Sequence, residues 1–204
     1  MKVPSDISSA AFLISLGVLK GENLLLKNVL INERRLGFVK VLKRMNANIE
    51  ILNIKETSNE LVGDIKVSKS DLVATKIEPK EVPDIIDEIP ILTFIASQAE
   101  GKTTLKGAQE LRIKESDRLE NMKNFIQSLN GEITMYDDGF EINGVQDLKE
   151  GTIATKDDHR VAMTAIIANI TLGKKIIPDN TDCIKDSYPT FFIDIESIGG
   201  MINE

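Results

Sequence analysis

The chain has 204 residues, with 42% hydrophobic residues, 28% charged residues and a formal net charge of −7. This length allows one large domain or two small ones with an ample core, and the composition argues against intrinsic disorder. The acidic balance without an evident basic face, together with the absence of Trp, disfavours a nucleic-acid partner.

The single cysteine and the distribution of apolar residues indicate the compartment. Cys183 cannot form an intramolecular disulfide, which suits a reducing cytoplasm. No signal-peptide pattern opens the chain. The longest apolar run, residues 161–170, is interrupted by Thr and Asn and is too short to span a bilayer. We therefore expect a soluble cytoplasmic protein without a membrane partner.

In chain order, three stretches show the same succession of elements, which indicates an internally repeated fold. Apolar periodicity and capping residues predict the elements of the first stretch. They are a helix from Asp6 to about Gly21, a strand at 24–30, a helix at 38–45, and strands at 46–52 and 65–67.

The second and third stretches repeat this pattern. The second contains a helix at 91–99, a strand at 103–106, a helix at 116–129, and strands at 131–135 and 140–143. The turn signal Asp138–Gly139 makes the last two strands a hairpin. The third contains a helix at 161–170, a strand at 175–178 and a helix at 187–195, and it ends before a hairpin can form.

We therefore predict one α/β domain over residues 1–204, built from three helix–strand–helix–hairpin units with pseudo-threefold symmetry. The units cover about 4–70, 84–146 and 156–204. The only candidate linker, Leu72–Val82, is short.

The charge pattern is densest between Lys114 and Arg118, where an amphipathic helix begins. Asp117 with Glu120 resembles a capping box, and Ser116 could cap the helix equally well. Arg118 then lies in the first turn, where a cation opposes the helix dipole. An anion bound at that helix start would make the arrangement favourable; a solvated charge run is the plainer interpretation.

Acidic residues precede all three apolar helices: Asp6, Asp87 and Asp158. Helix capping alone can explain each of them. Cations recur at the second-helix starts and before the third apolar helix: Arg34, Arg35, Lys114, Arg118, His159, Arg160 and Lys185. If the units pack about one axis, these side chains converge into a site for a small polyanion, with Asp87 and Glu115 as general acid–base candidates. One His and one Cys give no metal-ligand spacing, so no metal is expected.

Three segments carry a family signature. Residues 111–118 read Leu-Arg-Ile-Lys-Glu-Ser-Asp-Arg, residues 158–163 read Asp-His-Arg-Val-Ala-Met, and residues 183–189 read Cys-Ile-Lys-Asp-Ser-Tyr-Pro. They resemble segments of the 5-enolpyruvylshikimate-3-phosphate synthase family, as do residues 4–11 and 86–90. In the third segment the family's lysine position holds Asp186, and the lysine comes one residue earlier as Lys185.

The resemblance implies an enolpyruvyl transferase domain, an inside-out α/β barrel, and a reaction without metal or cofactor. The enolpyruvyl group of phosphoenolpyruvate would move to the 5-hydroxyl of shikimate 3-phosphate by addition and elimination, releasing phosphate.

The resemblance also implies residue roles. Asp87 would deprotonate the attacking hydroxyl and hold the shikimate ring. Lys114 would lie between the substrates, and Glu115 would protonate the methylene carbon. Arg118 and Arg160 would hold the phosphate and carboxylate of phosphoenolpyruvate. His159 would lie beside them, with Lys185 as a weaker ligand and Asp6 lining the cleft.

Family enzymes contain two such domains, and this chain resembles only the C-terminal one. We therefore expect half a site, completed by an N-terminal domain on the same or a separate chain, and no activity from this half alone. Two alternatives remain. One is a UDP-N-acetylglucosamine enolpyruvyl transferase, which shares the repeated fold but lacks the Lys-Glu-[Ser/Thr]-Asp-Arg run. The other is a non-catalytic anion-binding fragment.

Overall fold

The computed structural model describes residues 5–57 and 59–203. Pro4 and Glu204, the outer limits of the first and third predicted units, lie outside the described residues. The helices are α1 (Ile7–Lys20), α2 (Gly37–Arg44), α3 (Ile89–Gln98), α4 (Arg118–Ser128), α5 (His159–Leu172), α6 (Asp182–Ser187) and α7 (Phe191–Ser197). The strands are β1 (Leu24–Leu30), β2 (Asn48–Thr57), β3 (Glu60–Ser68), β4 (Lys76–Ile77), β5 (Lys102–Leu105), β6 (Thr134–Tyr136), β7 (Gly139–Asn143), β8 (Gly151–Ile153) and β9 (Ile176–Pro178).

The core is built around the helices α1, α3 and α5, which contact one another. Nearly every residue of the three is buried. Their sequences are apolar around the whole circumference, and a helix of that kind can only be stable inside the protein. These three inner helices are the apolar helices that the sequence predicts in each unit.

Three sheets surround the inner helices. Their strand orders are β1-β3-β2, β4-β5-β7-β6 and β8-β9. Ser5 forms a parallel bridge with Val29 of β1 and so occupies the place in the first sheet that β4 has beside β5 in the second. With that bridge counted, the first two sheets have the same strand order. This common order, with one inner helix per sheet, confirms an α/β fold of repeated units.

Each inner helix is the crossover between two parallel strands. α3 joins β4 to β5 and α5 joins β8 to β9, and both strand pairs are parallel. The sequence analysis missed the first strand of each pair. The segment 72–82, the only candidate linker in the sequence, instead contains β4 and the start of a 3-10 helix at Pro79–Asp84.

Both predicted hairpins are confirmed. β2 pairs with β3, and β6 pairs with β7 through a two-residue turn at Asp137–Asp138, one position before the predicted Asp138–Gly139. Within the described part of the third unit no strand follows α7, so its sheet has two strands where the second sheet has four.

The predicted continuous helix at 187–195 is wrong, because a non-helical segment separates α6 from α7. α6 ends at Ser187 and α7 begins at Phe191. Tyr188 adopts φ −142° and ψ 76°, outside the helical region. The cause is Pro189, which lacks an N–H and disfavours helical backbone in the residue before it.

None of the helices within 5–57 and 59–203 combines the length and the hydropathy needed to cross a membrane.

Candidate active site

The N-terminal ends of the three inner helices lie together. Glu88, directly before α3, faces Arg160 in the first turn of α5, at 3.7 Å between Oε1 and Nη1. Burial raises the pKa of Glu88, and Ser8, in the first turn of α1, lies against the same carboxylate and partly offsets that rise. The convergence predicted from the repeats is therefore found, and all three units contribute to it.

Arg118 organises this end of the molecule. It begins α4, and its side chain is only 1% exposed. Its three guanidinium nitrogens bind three different carboxylates: Nε binds Asp158 at 2.8 Å, Nη1 binds Asp87 at 3.0 Å and Nη2 binds Glu115 at 2.7 Å. A planar fork of donors suits such contacts, since each nitrogen points at a separate acceptor.

Asp158 is fully buried, and its charge is held by its neighbours. Burial acts to raise the pKa of Asp158, but the hydrogen bond and charge of Arg118 keep it below its ordinary value. Ser116 donates a further hydrogen bond to the same oxygen at 2.8 Å. The other oxygen accepts the backbone N–H of Arg160 at 2.9 Å, so Asp158 caps α5 as predicted.

Asp87 and Glu115 point their carboxylates towards solvent, with side chains 38% and 53% exposed. Lys114 Nζ lies 3.6 Å from Asp87 Oδ1. Burial acts to raise the pKa of Asp87, but Arg160, Lys114 and Arg118 together lower it. The structure therefore assembles Asp87, Lys114, Glu115 and Arg118 in one cluster, open on the side of the two carboxylates.

The prediction that Asp87 caps its helix is wrong. Asp87 lies in a 3-10 turn at Ile86–Glu88, and Glu88 holds the N-cap position of α3 without a capping bond. Pro90 occupies the second position of α3 and has no N–H, which removes one of the two donors that a cap side chain uses. Neighbouring cations, and not backbone donors, keep Asp87 charged.

Arg160 differs from Arg118 in its bonding. Its side chain is 14% exposed, yet Nε and Nη1 are buried with no hydrogen-bond partner in the described part of the chain. His159 precedes it in the first turn of α5. Burial and the charge of Arg160 lower the pKa of His159, which favours the neutral imidazole.

Two predicted residues make their contacts outside this cluster. Lys185 binds Asp182 on its own helix at 2.6 Å, and both side chains are well exposed. Asp6 caps α1 by accepting the Ser9 N–H, and it pairs with Arg35 at 2.7 Å. Both contacts are on the surface, so they are weak anchors for a site.

The lone cysteine is half-buried beside α5. Burial and the charges of Asp157, Asp158 and Asp186 raise the pKa of the Cys183 thiol. A thiol of this kind is a poor nucleophile at neutral pH.

Sequence reasoning missed two functions at the cluster. It assigned Asp158 to capping, but that carboxylate also pairs with Arg118, a partner distant in sequence. It passed over Glu88, which is 6% exposed. The available signal was its place directly before a helix that is apolar all round, where a carboxylate has little chance of reaching solvent.

Within the two described ranges, no group of three or more His, Cys, Asp or Glu side chains is placed to hold a metal ion.

Comparisons with known proteins show which family this chain resembles in sequence. A family model described as EPSP synthase (3-phosphoshikimate 1-carboxyvinyltransferase) matches residues 1–195. A protein of Oceanobacillus iheyensis with the name 3-phosphoshikimate 1-carboxyvinyltransferase is 41% identical over 97% of this chain and 46% of its own length. One from Sulfurihydrogenibium, with the same name, is 42% identical over 97% of this chain and 46% of its own length.

Solved structures show the same similarity. An EPSP synthase from Acinetobacter baumannii superposes with a TM-score of 0.91 at 34% identity, over 98% of this chain and 47% of that one. The enolpyruvyl transferase NikO from Streptomyces tendae, at 17% identity and a TM-score of 0.73, shares the fold over 100% of this chain and 45% of its own. The chain thus spans about half the length of the curated relatives that it matches.

Proposed function

The chain belongs to the EPSP synthase family, and on that premise we propose that it forms one half of the active site of a 3-phosphoshikimate 1-carboxyvinyltransferase. The substrates would be phosphoenolpyruvate and shikimate 3-phosphate, and the product phosphate would be released. The observation that carries the proposal is the cluster in which Arg118 binds Asp87 and Glu115 while Lys114 lies against Asp87. It combines two solvent-facing carboxylates with fixed cations, as acid–base chemistry on anionic substrates requires.

Asp87 suits the attacking side of the reaction. Its lowered pKa keeps it ionised, so it can accept a hydrogen bond from the 5-hydroxyl of shikimate 3-phosphate and hold that ring. As the hydroxyl oxygen bonds to C2 of phosphoenolpyruvate, its proton passes to Asp87. Lys114, 3.6 Å from Asp87, stabilises the negative charge of both substrates at that point.

Glu115 suits the other proton transfer. Its side chain is half-exposed and reaches Arg118 at 2.7 Å. Delivery of a proton to the methylene carbon gives a methyl group and completes a tetrahedral intermediate. Removal of a proton from that methyl group by Glu115, as the C2–O bond to phosphate breaks, restores the double bond in the product, and the departing phosphate takes up the proton that Asp87 received from the hydroxyl. The pair with Arg118 must open while Glu115 is protonated.

The two arginines would share the anionic groups of phosphoenolpyruvate unequally. The guanidinium of Arg160 holds no carboxylate at hydrogen-bond distance in the described part of the chain, so the edge opposite its buried Nε and Nη1 can donate hydrogen bonds to the phosphate or carboxylate directly. Each nitrogen of Arg118 is already bound to a carboxylate, so Arg118 reaches the substrate only by giving up Asp87 or Glu115. His159 lies beside Arg160 in the same turn. Lys185 and Asp6 remain weaker candidates, because their present partners are on the surface.

The rest of the site would come from a second domain. We propose that residues 1–204 act as one domain and that an N-terminal domain, on the same or a separate chain, closes over this surface. Without it, the cluster should hold anions but not turn them over. We place the reaction in the cytoplasm, since a single free cysteine suits a reducing compartment.

The test is reconstitution. The chain would be mixed with, or fused to, the N-terminal half of a family EPSP synthase, and phosphate release from phosphoenolpyruvate would be followed with shikimate 3-phosphate. Turnover is expected only when both halves are present. Each half alone, and UDP-N-acetylglucosamine as acceptor, serve as controls. Turnover with the nucleotide sugar instead, or none from a well-folded fusion, would refute the proposal.

A further inference from the structure

Glu88 is a buried carboxylate that the proposed chemistry does not use. The residue is 6% exposed, and its Oε1 has no hydrogen-bond partner in the described part of the chain. Burial raises the pKa of Glu88 above its ordinary value. A buried acceptor that lacks a hydrogen bond destabilises the folded state, and more so when it is charged. A side chain held at that cost calls for an explanation.

The partner that Glu88 lacks lies just out of reach. Arg160 Nη1 is 3.7 Å from Glu88 Oε1, which is too long for a hydrogen bond. Nη1 and Nε of Arg160 are themselves buried and without partners. Two opposite charges therefore face each other, each missing a bond that a movement of less than about 1 Å would make.

The surroundings of Glu88 exclude a ligand of its own. The cavity beside it has a volume of about 50 Å³ and is lined by Ser8, Arg35 and Asp87 among others. That space holds little more than a water molecule. Any effect of Glu88 on a substrate must therefore pass through a neighbouring side chain, and Arg160 is the one with bonds to spare.

We propose that Glu88 is the positioning residue of the anion site. Its carboxylate closes onto the buried edge of the Arg160 guanidinium when an anion occupies the opposite edge, and so fixes the arginine for that anion. The planar guanidinium has five donors in a rigid fork, so one edge can bind Glu88 while another binds the ligand. The inference rests on the proposed anion site of this chain, but not on the identity of the second substrate.

The experiment measures inorganic phosphate binding by the 204-residue chain. Glu88→Gln keeps the shape and removes the charge, and it should weaken phosphate binding about tenfold, equivalent to about 1.4 kcal/mol. Simple removal of a negative charge near the site would have the opposite effect and tighten binding. Glu88→Asp, which keeps the charge on a shorter side chain, should recover part of the affinity.

A matched control removes a carboxylate elsewhere. Asp147 is 71% exposed and pairs with Lys149 and Lys174, the latter just beyond the C-terminal end of α5. Asp147→Asn changes the net charge by the same amount and should leave phosphate affinity unchanged.

A spectroscopic readout separates positioning from a merely structural role. In the wild-type chain, phosphate should shift the Arg160 Nε–H resonance and slow its exchange with water, because both edges become bonded. In Glu88→Gln the shift should be much smaller even at saturating phosphate. Thermal unfolding of each variant shows whether a loss of affinity comes from a loss of folded protein.

Unchanged or tighter phosphate binding by folded Glu88→Gln would overturn the inference. So would a wild-type chain that binds no phosphate. If the reconstituted protein fails to turn over shikimate 3-phosphate while phosphate affinity still depends on Glu88, the proposed reaction falls and the positioning role stands.

Discussion

The start of α4 and the start of α5 each place an arginine in the first turn, and the two arginines are bonded in opposite ways. Arg118 binds three carboxylates through three nitrogens. Arg160 has two buried nitrogens that find no partner among the residues that the structure describes. Both positions carry the same dipole penalty. The difference indicates that Arg118 is committed to the fold, and it supports the proposal that Arg160 serves a ligand.

Asp158 lies between the two arginines and makes a different contact with each. It accepts a hydrogen bond from the side-chain Nε of Arg118 at 2.8 Å. From Arg160 it accepts only the backbone N–H, at 2.9 Å. Asp158 therefore satisfies one guanidinium and the end of α5, but not the guanidinium of Arg160. A fully buried carboxylate with a buried cation also makes this pair sensitive to the loss of either partner.

The largest expected effect is on stability. Arg118→Met should lower the free energy of unfolding by about 3–5 kcal/mol, because it leaves Asp158 buried without its partner. Urea denaturation measures the change. Lys123→Met on the same helix is the control; Lys123 pairs with Glu120 near the surface, so a loss within about 1 kcal/mol is expected. A similar small loss for Arg118→Met would contradict its commitment to the fold.

The next effect is on rate, and it separates the two carboxylates that Arg118 holds. In the reconstituted two-domain protein, Glu115→Gln should cut turnover at least about a hundredfold with shikimate 3-phosphate binding nearly intact, since an amide cannot give a proton to carbon. Asp87→Ala should lower the rate and also weaken that binding, because one carboxylate does both.

Steady-state kinetics and a separate binding titration measure these effects. Near wild-type turnover of Glu115→Gln, or normal shikimate 3-phosphate binding by Asp87→Ala, would refute the assigned roles.

The contrast between the arginines also marks what the sequence could and could not predict. A long apolar run after the capping residue Asp6 marks α1, a short apolar segment marks β1, and a turn signal marks the β6–β7 hairpin, so these elements follow from local patterns. β4 and β8 have two and three residues, which is too short for a periodic signal. They exist because a neighbouring strand pairs with them.

The site likewise has one feature that the sequence predicts, its location, and one that it does not, the pairing of its charges. Its location at the starts of the inner helices follows from the order of the repeats. The partners of Asp158 and Glu88 do not, because Arg118 and Arg160 reach them across different units of the fold. Local sequence shows which charges are present, but only packing decides which of them are neutralised.

A smaller effect tests Arg160. Arg160→Met should weaken phosphate binding by this chain at least about tenfold. It should lower the free energy of unfolding by less than Arg118→Met does, because it breaks no hydrogen bond, although Glu88 loses the opposite charge that faces it at 3.7 Å. A phosphate titration and urea denaturation of one sample give both values. A stability loss as large as that expected for Arg118→Met would remove the distinction between the arginines.

The smallest expected effect is a change in the pKa of His159, which responds to the charge of Arg160. Burial comes first among the causes that lower the pKa of His159, followed by Arg160, while Arg118 contributes less. The imidazole, the only one in the sequence, should therefore titrate below 6.5 by proton NMR, and Arg160→Met should raise its pKa while Lys123→Met leaves it unchanged. The pKa of His159 is lower in the folded state than in the unfolded state, so below pH 6.5 the unfolded state binds more protons. The free energy of unfolding therefore decreases as the pH falls below 6.5. A His159 pKa at or above 6.5, or one that does not respond to Arg160→Met, would show that the unpaired charge of Arg160 is screened from the site.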